Sequence, residues 1–490
     1  MTAGEAGRLT DRIRQAPATH DGGIDLAAEL EQVLAPLGLS AADCGGTVSF
    51  EGADPVVPST LRLGAAASLG LVAKSVAVAA LHRDRGGDGQ DIAMDLRVAP
   101  HRLCPFYDRR WELLNGYPAV AASNPTQALG FSFHRTADDR FVMPLNPYPK
   151  LKVAAQKLLG TPDDPDAVAA AVRRWQSADL ERAGAEAGVV MPVCRTVEEM
   201  LAEPQYTEVL SGLPLVELTR TGDAPPEPFA PGAALAGVRA LGMGHVIAGA
   251  GVGRALALHG ADVLNLWRPN ELEHDTTYIT ANVGMRSSTL KMDDPRVQQL
   301  LSGADVFFAN RRPGLLARHG LSAEEAAGLR PGIVHATTSL NGETGPWAGH
   351  VGFDQTAGSL VGMMLLEGGG EVPRLPPILV VNDYVVSWLM TAGVVAALRR
   401  RAVEGGSWRV HVSLTRVALW ILSLGTFDLA YAQEVAGSGG DHAYLDPETF
   451  TATTPLGDYQ GVTDQVRMSG TPGGYDPVLV PRGSDRPAWR

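Results

Sequence analysis

Cysteine is scarce. Cys44, Cys104 and Cys194 are the only three in 490 residues, far apart and with no Cys-x-x-Cys pair. That excludes an even disulfide framework and implies free thiols in a reducing compartment. Basic charge is also in deficit: 41 Lys+Arg face 54 Asp+Glu, a net of −13, with no cationic block. A nucleic-acid or anionic-membrane surface is therefore not expected. No uninterrupted apolar run reaches the ~18 residues that span a bilayer. Met1 to Asp21 mixes Glu5, Arg8, Asp11 and Arg12 and has no apolar leader segment, so a cytoplasmic protein without a membrane role is expected. The histidines show no His-x-x-x-His or His-x-His spacing beside an acid cluster, so no metal site is expected. No Gly-x-Ser-x-Gly elbow occurs. What the chain has in plenty is 56 Gly and 34 Pro among 45% hydrophobic residues, which suits many turns between short strands and helices in two to four domains of roughly 100 to 200 residues.

The most ordered pattern begins near Ala233. A short strand, 238–241, enters the glycine-rich stretch Gly242 to Gly249, a helix runs to about His259, and 261–267 is again strand-like. The alternation continues through a helix at 294–302, a strand at 304–309, a capping box opening at Ser322 and a strand at 332–337. Nearly continuous Val, Ile and Ala in such strands is what a buried parallel sheet needs, so the expected class is α/β with a doubly wound, Rossmann-like parallel sheet. Further on, Asp383 opens an apolar helix that ends in Arg399, Arg400 and Arg401, followed by Gly405-Gly406 and a strand at 410–414.

The same order of helix, glycine pair and strand occurs early, in 71–81, Gly86-Gly87 and 91–96. An internal repeat explains it. Aligning the two Ala-Ala-Leu triplets sets Ala66 opposite Asp383, and aligning the glycine pairs sets Gly64 there, so the early copy carries no acid at that position. Between the copies, 163–187 reads as exposed helices, 188–193 as a strand, and Thr196 to Glu199 as a second capping box. The expected organisation is a degenerate partial repeat over 1–105, a smaller α+β domain over 106–218, a proline-stiffened linker at 219–232, the main domain at 233–435 and an extended tail at 436–490. The tail contains Leu479-Val-Pro-Arg-Gly-Ser484, which equals a common protease-cleavage cassette and is read as native.

Three constellations bear on chemistry, each with a plain structural alternative. The glycines at 242, 244, 249, 251 and 253 follow a strand and could cradle a phosphate. The dinucleotide fingerprint fails at Ile247 or Arg254, however, and no acid closes the second strand, where Trp267 stands. A tight strand-to-helix turn accounts for them equally well. Asp383 in the first turn of its helix could be a simple N-cap. The same placement can also present an ionised carboxylate near N–H groups able to hold an oxyanion. Arg268, Arg286, Arg311, Arg312 and Arg318 lie in or near loops after strands; they are either solvated surface cations or a grip for a polyphosphate.

Together these segments resemble the class III CoA-transferases of the CaiB/BaiF type. The resemblance is carried in order by Gly237 to Leu241, Val246 to Gly249, Ala255 to Pro269, Asn282 to Arg286, Asn310 to Gly314, Gly320-Leu321 before the capping box, Thr344 to Trp347, Gly352-Phe-Asp354 and the helix of Asp383. Gly188 to Gln205 resembles the small domain of that family. The chain departs from the family pattern at Ala250, Trp267, Met285, Lys291 and Asp293, and its small-domain-like region precedes the main domain, as in a fused or permuted relative.

The resemblance implies transfer of CoA from an acyl-CoA to a carboxylic acid, with Asp383 as nucleophile and acyl-aspartyl anhydride and aspartyl-CoA thioester intermediates. It further implies substrate or CoA contacts at His245, Val246, Ala248, Arg268, Asn282, Arg286, Asn310, Arg311, Arg318 and Phe353, and a lid at Gly368, Gly369 and Gly370. CoA enters as a substrate, no tightly bound cofactor is expected, and the family habit is an interlocked homodimer, part of which the fused copy could supply in cis. Two other readings stay open: a 2-methylacyl-CoA racemase, whose histidine would fall at Phe353, and a catalytically silent acyl-CoA binder.

Overall fold

The computed structural model describes residues 3–15, 18–21, 23–119 and 128–490. Parts of the partial-repeat and small-domain assignments, at 1–2, 16–17, 22 and 120–127, lie outside the described residues. The early copy is a strand–helix–strand unit: Gly45–Glu51 and Gln90–Asp95 pair in parallel and the Leu63–Asp84 helix connects them. That helix starts eight residues earlier than the apolar run suggests. Over 18 residues its mean hydropathy is 1.7, long and apolar enough by composition to cross a membrane, but the whole window is buried inside the protein. It packs on the Asn382–Glu404 helix so closely that a Cβ on Gly70 would lie 3.1 Å from the Trp388 ring. Glycine here allows the close approach of the two helices.

Among the described residues the main sheet has seven strands. Six are parallel: Arg239–Met243, Asp262–Trp267, Arg286–Thr289, Val306–Ala309, Val334–Ser339 and Ser407–Ser413. Numbered along the chain, they stand in the spatial order 3-2-1-4-5-6. Glu217–Gly222 closes the last edge antiparallel to Ser407–Ser413. Residues 219–222, expected to begin the linker, are therefore strand, because the open edge of a parallel sheet gains hydrogen bonds from them. Apolar side chains such as Phe307 and Phe308 lie within the sheet's two faces, fully buried.

Two further expectations are corrected. Residues 188–193 form no strand beyond a single bridge at Val193; instead the Asn146 side chain bonds both the N–H and the carbonyl of Val190, at 3.0 and 2.9 Å. Pro192 offers no N–H for a ladder. Nor is 436–490 merely extended. Thr449–Thr454 and Gly457–Val462 form a hairpin, Val466–Met468 joins Gln90–Asp95, and Gly483 and Asp485 bond Ser287 along the outer strand of the main sheet. The tail thus covers two exposed edges. Both capping boxes, at Thr196 and Ser322, form with reciprocal hydrogen bonds.

A buried ionic group holds the three regions together. Asp464 of the tail pairs with Lys74 of the early helix and, at 3.3 Å, with Arg102. Arg254 of the main domain bonds the carbonyls of Thr280 and Val462 and the Tyr475 hydroxyl. Burial works against the Asp464 anion, but Lys74, Arg102 and Arg254 hold its carboxyl far below the usual range.

Candidate active site

In the order 3-2-1-4-5-6 the first and fourth strands are neighbours, so the loops after them diverge and leave a crevice at their carboxyl ends. Asn310, just past the fourth strand, spans it. Its side-chain oxygen accepts the His245 N–H at 2.8 Å and its amide donates to the His245 carbonyl at 2.6 Å. Asn265 on the second strand grips Gly244 in the same two-way manner, at 2.9 and 3.0 Å, and donates to Asn282 Oδ1 at 3.1 Å. Side-chain amides suit this work because each supplies donor and acceptor together. The glycines nearby are explained by packing: a Cβ on Gly249 would meet Asn310 Oδ1 at 2.4 Å, and one on Gly253 would meet Met285 Sδ at 2.2 Å.

Val246 follows with φ 58°, a left-handed conformation that a β-branched residue rarely adopts. Glu273 holds it there. The buried Glu273 carboxylate accepts the Val246 N–H at 2.7 Å, the His274 N–H at 2.9 Å, the Thr277 hydroxyl at 2.8 Å and the Tyr148 hydroxyl at 3.0 Å. Tyr148 arrives from the small region. Its ring lies 5.1 Å from those of His245 and His274 and stacks at 6.0 Å on Phe353. Burial, then Glu273 and Asp383, push the Tyr148 hydroxyl well above its ordinary value, so the hydroxyl stays protonated and faces carboxylates.

Asp383 is the second residue of the Asn382–Glu404 helix and only 6% exposed. It does not cap that helix. Asp354, at the start of the Asp354–Val361 helix, does so: its Oδ2 accepts the N–H of Val381 at 3.0 Å and that of Asp383 at 2.8 Å. The Asp383 carboxylate itself makes no hydrogen bond among the described residues. Burial first, and the Asp354 charge second, push its carboxyl well above the usual range. Asp354 is also raised by burial, against the three N–H groups that favour its anion. The first charge of the pair therefore sits on Asp354 and the second on Asp383.

Of the expected contacts, His245, Val246, Asn282 and Asn310 take part in the hydrogen bonds just described, Ala248 is buried in the same loop, Phe353 stacks on Tyr148, and Asp383 is close enough to act on the Tyr148 hydroxyl. Arg311 and Arg268 reach the same corner, but both are paired with Glu271, and Arg311 is buried in the pair. Burial disfavours the Glu271 anion, yet the two arginines hold its carboxyl down at about 2. Arg312, by contrast, is exposed and has no ion pair among the described residues.

Three expectations are placed elsewhere. Arg286 begins its strand at the opposite, amino end of the sheet, where its guanidinium binds Asp262 at 2.9 and 3.0 Å and the Ala488 carbonyl at 2.8 Å. Arg318 is exposed at the end of the short Leu315–Arg318 helix. Gly368, Gly369 and Gly370 form a hydrogen-bonded turn that ends the Met363–Glu367 helix, their N–H groups reaching Met364, Leu366 and Leu365; none of these bonds leads to Asp383.

Sequence reasoning passed over Asp354, Glu273, Tyr148 and Arg482. Asp354 lies in the Gly352-Phe-Asp354 motif, whose spacing does not show that it caps another helix. Glu271 and Glu273 follow the strand that ends at Trp267, so the acids missing at its end lie a few residues further on. Arg482 of the tail donates to the Glu271 carbonyl at 2.7 Å and lies 5.4 Å from the Trp267 ring, a meeting no local spacing announces. Among the described residues no group of three His, Cys, Asp or Glu side chains could hold a metal ion.

Residues 235–455, a little under half of the chain, match the model of CoA-transferase family III. The chain is 31% identical over 218 residues to the acetyl-coenzyme A transferase nodX of Hypoxylon pulicicidum, covering 42% of this chain and 37% of that protein. It is 30% identical over 201 residues to a formyl-CoA:oxalate CoA-transferase of Streptomyces coelicolor, covering 38% and 49%. The chain therefore spans about half or less of the length of these relatives. Among solved structures, a CAIB/BAIF family protein from Brucella suis aligns at 22% identity over 46% of this chain and 65% of that one, with a TM-score of 0.36.

Proposed function

We propose that the protein transfers CoA from an acyl-CoA to a carboxylic acid through covalent intermediates on Asp383. The observation that carries this reading is the Asp383 carboxylate itself: buried, without a hydrogen-bond partner among the described residues, and released from capping its own helix by Asp354. A carboxylate in that state is poorly solvated and correspondingly basic, which suits attack on a thioester carbonyl. The strand order 3-2-1-4-5-6 is that of a doubly wound, Rossmann-like sheet, and it supports a ligand bound at the crevice between the first and fourth strands.

In the first step an Asp383 oxygen bonds to the acyl carbonyl carbon and the C–S bond breaks, giving an acyl-aspartyl anhydride and CoA thiolate. The thiolate then attacks the aspartyl carbonyl and expels the donor carboxylate, leaving an aspartyl-CoA thioester. The acceptor carboxylate attacks that carbonyl and releases CoA thiolate. The thiolate finally attacks the acceptor's own carbonyl, forming the new acyl-CoA and restoring the Asp383 carboxylate. Charge is conserved at each step, so no external proton donor is needed. The N–H groups of Ile247 and Ala248 make no hydrogen bond among the described residues and open the Ala250–Leu258 helix beside the site, a disposition suited to an oxyanion. The N–H of Asp383, in contrast, is already committed to Asp354.

Phe353 carries no exchangeable proton, which favours transfer over racemisation. The reading includes a cytoplasmic setting and a homodimer. The test is exchange of CoA between labelled acyl-CoA donors and free carboxylic acids: exchange by the unaltered protein and none by Asp383→Asn supports it, and equal exchange by both refutes it.

A further inference from the structure

We propose that Asp354 is the positioning residue of this site: by taking the first N–H groups of the Asp383 helix it leaves the Asp383 carboxylate uncapped, and its charge sets the pH at which that carboxylate becomes nucleophilic. The proposal rests on the reading of Asp383 as the nucleophile. The acid that caps a helix ordinarily sits at its N-cap, the place held here by Val381, which has no capping side chain. Here Asp354, from another helix, occupies the N–H groups of Asp383 and Val381 at 2.8 and 3.0 Å, so nothing draws the Asp383 oxygens back to the backbone.

The early copy supplies an internal comparison. Asp54 also caps the Leu63–Asp84 helix from outside it, with one oxygen accepting the N–H of Gly64 at 3.0 Å and the other that of Ala65 at 2.7 Å; the N–H of the second helical residue is taken in both copies. Gly64 is the second residue of its helix, as Asp383 is of the other. The cap thus persists where the nucleophile is absent, and a Cβ at Gly64 would lie 2.6 Å from Asp54 Oδ1. Capping alone is a structural duty shared by both acids; control of a neighbouring carboxylate is open only to Asp354.

The titratable groups around Asp383 are few. Asp354 lies on the Asp354–Val361 helix. Tyr148 comes from the small region, with Glu273 and Glu271 behind it. From the early copy, the buried Cys104 thiol lies against the Val380 N–H and senses Asp354. Among these, Asp354 is the charge that acts on Asp383.

Asp354→Asn is the discriminating variant. Its amide oxygen can accept the same two N–H groups; its NH2 would replace the Oδ1 to which the Asn382 amide donates at 3.4 Å, and rotation of the Asn382 amide would turn its buried, donorless Oδ1 toward that NH2. Asp54→Asn is the matched control. Two readouts are needed: the pH profile of CoA exchange, and the stability change caused by Asp383→Asn as a function of pH in the normal and Asp354→Asn backgrounds. In Asp354→Asn the acid limb of the exchange profile is expected to move down by about one pH unit or more, as removal of a close like charge requires. The pH-dependent gain from Asp383→Asn is expected to shrink, and Asp54→Asn to leave both readouts in place. An active Asp354→Asn with an unmoved acid limb, or an equal shift in Asp54→Asn, overturns the proposal. Absence of exchange in the unaltered protein refutes the transferase reading instead, and the stability readout then decides the coupling alone. If Asp354→Asn does not fold, carboxyl titration of the unaltered protein by 13C NMR replaces it: two linked steps with Asp354 ionising first are expected, and independent titration of Asp383 in the ordinary carboxylate range overturns the proposal.

Discussion

Replacing Asp383 by Asn is expected to stabilise the fold while abolishing transfer. In the native protein this carboxyl is buried, lacks a hydrogen-bond donor and lies near the Asp354 carboxylate, and both effects raise its pKa above that of the unfolded chain. A raised folded pKa means that the native state holds its proton longer. Stability is then fully present below the unfolded value of about 4 and is lost as pH rises through the folded value. A close like charge raises a carboxyl by about one to three units, and each unit of pKa elevation corresponds to about 1.4 kcal/mol. The variant is therefore expected to gain about 2–4 kcal/mol over the unaltered protein at pH 8 and little near pH 4. Urea unfolding across that pH range, followed by tryptophan fluorescence, measures the difference. A variant that is less stable at pH 8, or a gain that does not vary with pH, would refute the reasoning.

Asp464→Asn is expected to destabilise by about 3–5 kcal/mol, since it leaves the buried Lys74 and Arg102 cations without their partner; thermal unfolding reads the loss. Glu273→Gln keeps the shape but weakens four hydrogen bonds and frees the strained Val246, so the KM for acyl-CoA is expected to rise about tenfold or more, with thermal stability falling by about 1–3 kcal/mol. Cys44, Cys104 and Cys194 are all buried, and burial lifts the Cys194 thiol to about 12 and that of Cys104 well above its ordinary value. A thiol reagent at pH 7.5 is expected to label the native protein slowly and the urea-unfolded chain three times per molecule. Gly64→Ala is expected to lower stability by about 1–3 kcal/mol through overpacking against Asp54, which a melting curve would show.

Short-range signals in this sequence translate directly into structure. The alternation from Arg239 onward gives the parallel strands, and Thr196 and Ser322 open their helices as their capping boxes require. What spacing could not show depends on register and on partners distant in the chain. Asp262 and Arg286 attract each other because adjacent parallel strands place both at amino ends, which turned an apparent phosphate ligand into a structural ion pair. Asp354 reaches a helix whose first turn lies 29 residues further on, where no helical or strand period connects the two. The tail's alternation was too short and too rich in Gly and Pro to stand out, yet its edges are completed by strands far back in the chain. The Leu63–Asp84 helix was recognised only in its middle, since Gly64 and Gly70 dilute the helical signal that close packing against Trp388 demands.

The most direct measurement is to trap the intermediate. The protein is incubated with an acyl-CoA, quenched with hydroxylamine, digested and mapped by mass spectrometry. The expected result is a hydroxamate on Asp383 alone, formed only when acyl-CoA is present and absent from the early copy around Gly64. Continued CoA exchange with the modification on another residue, or with no modified residue at all, would contradict the assignment of Asp383 as the group that carries the acyl and CoA moieties.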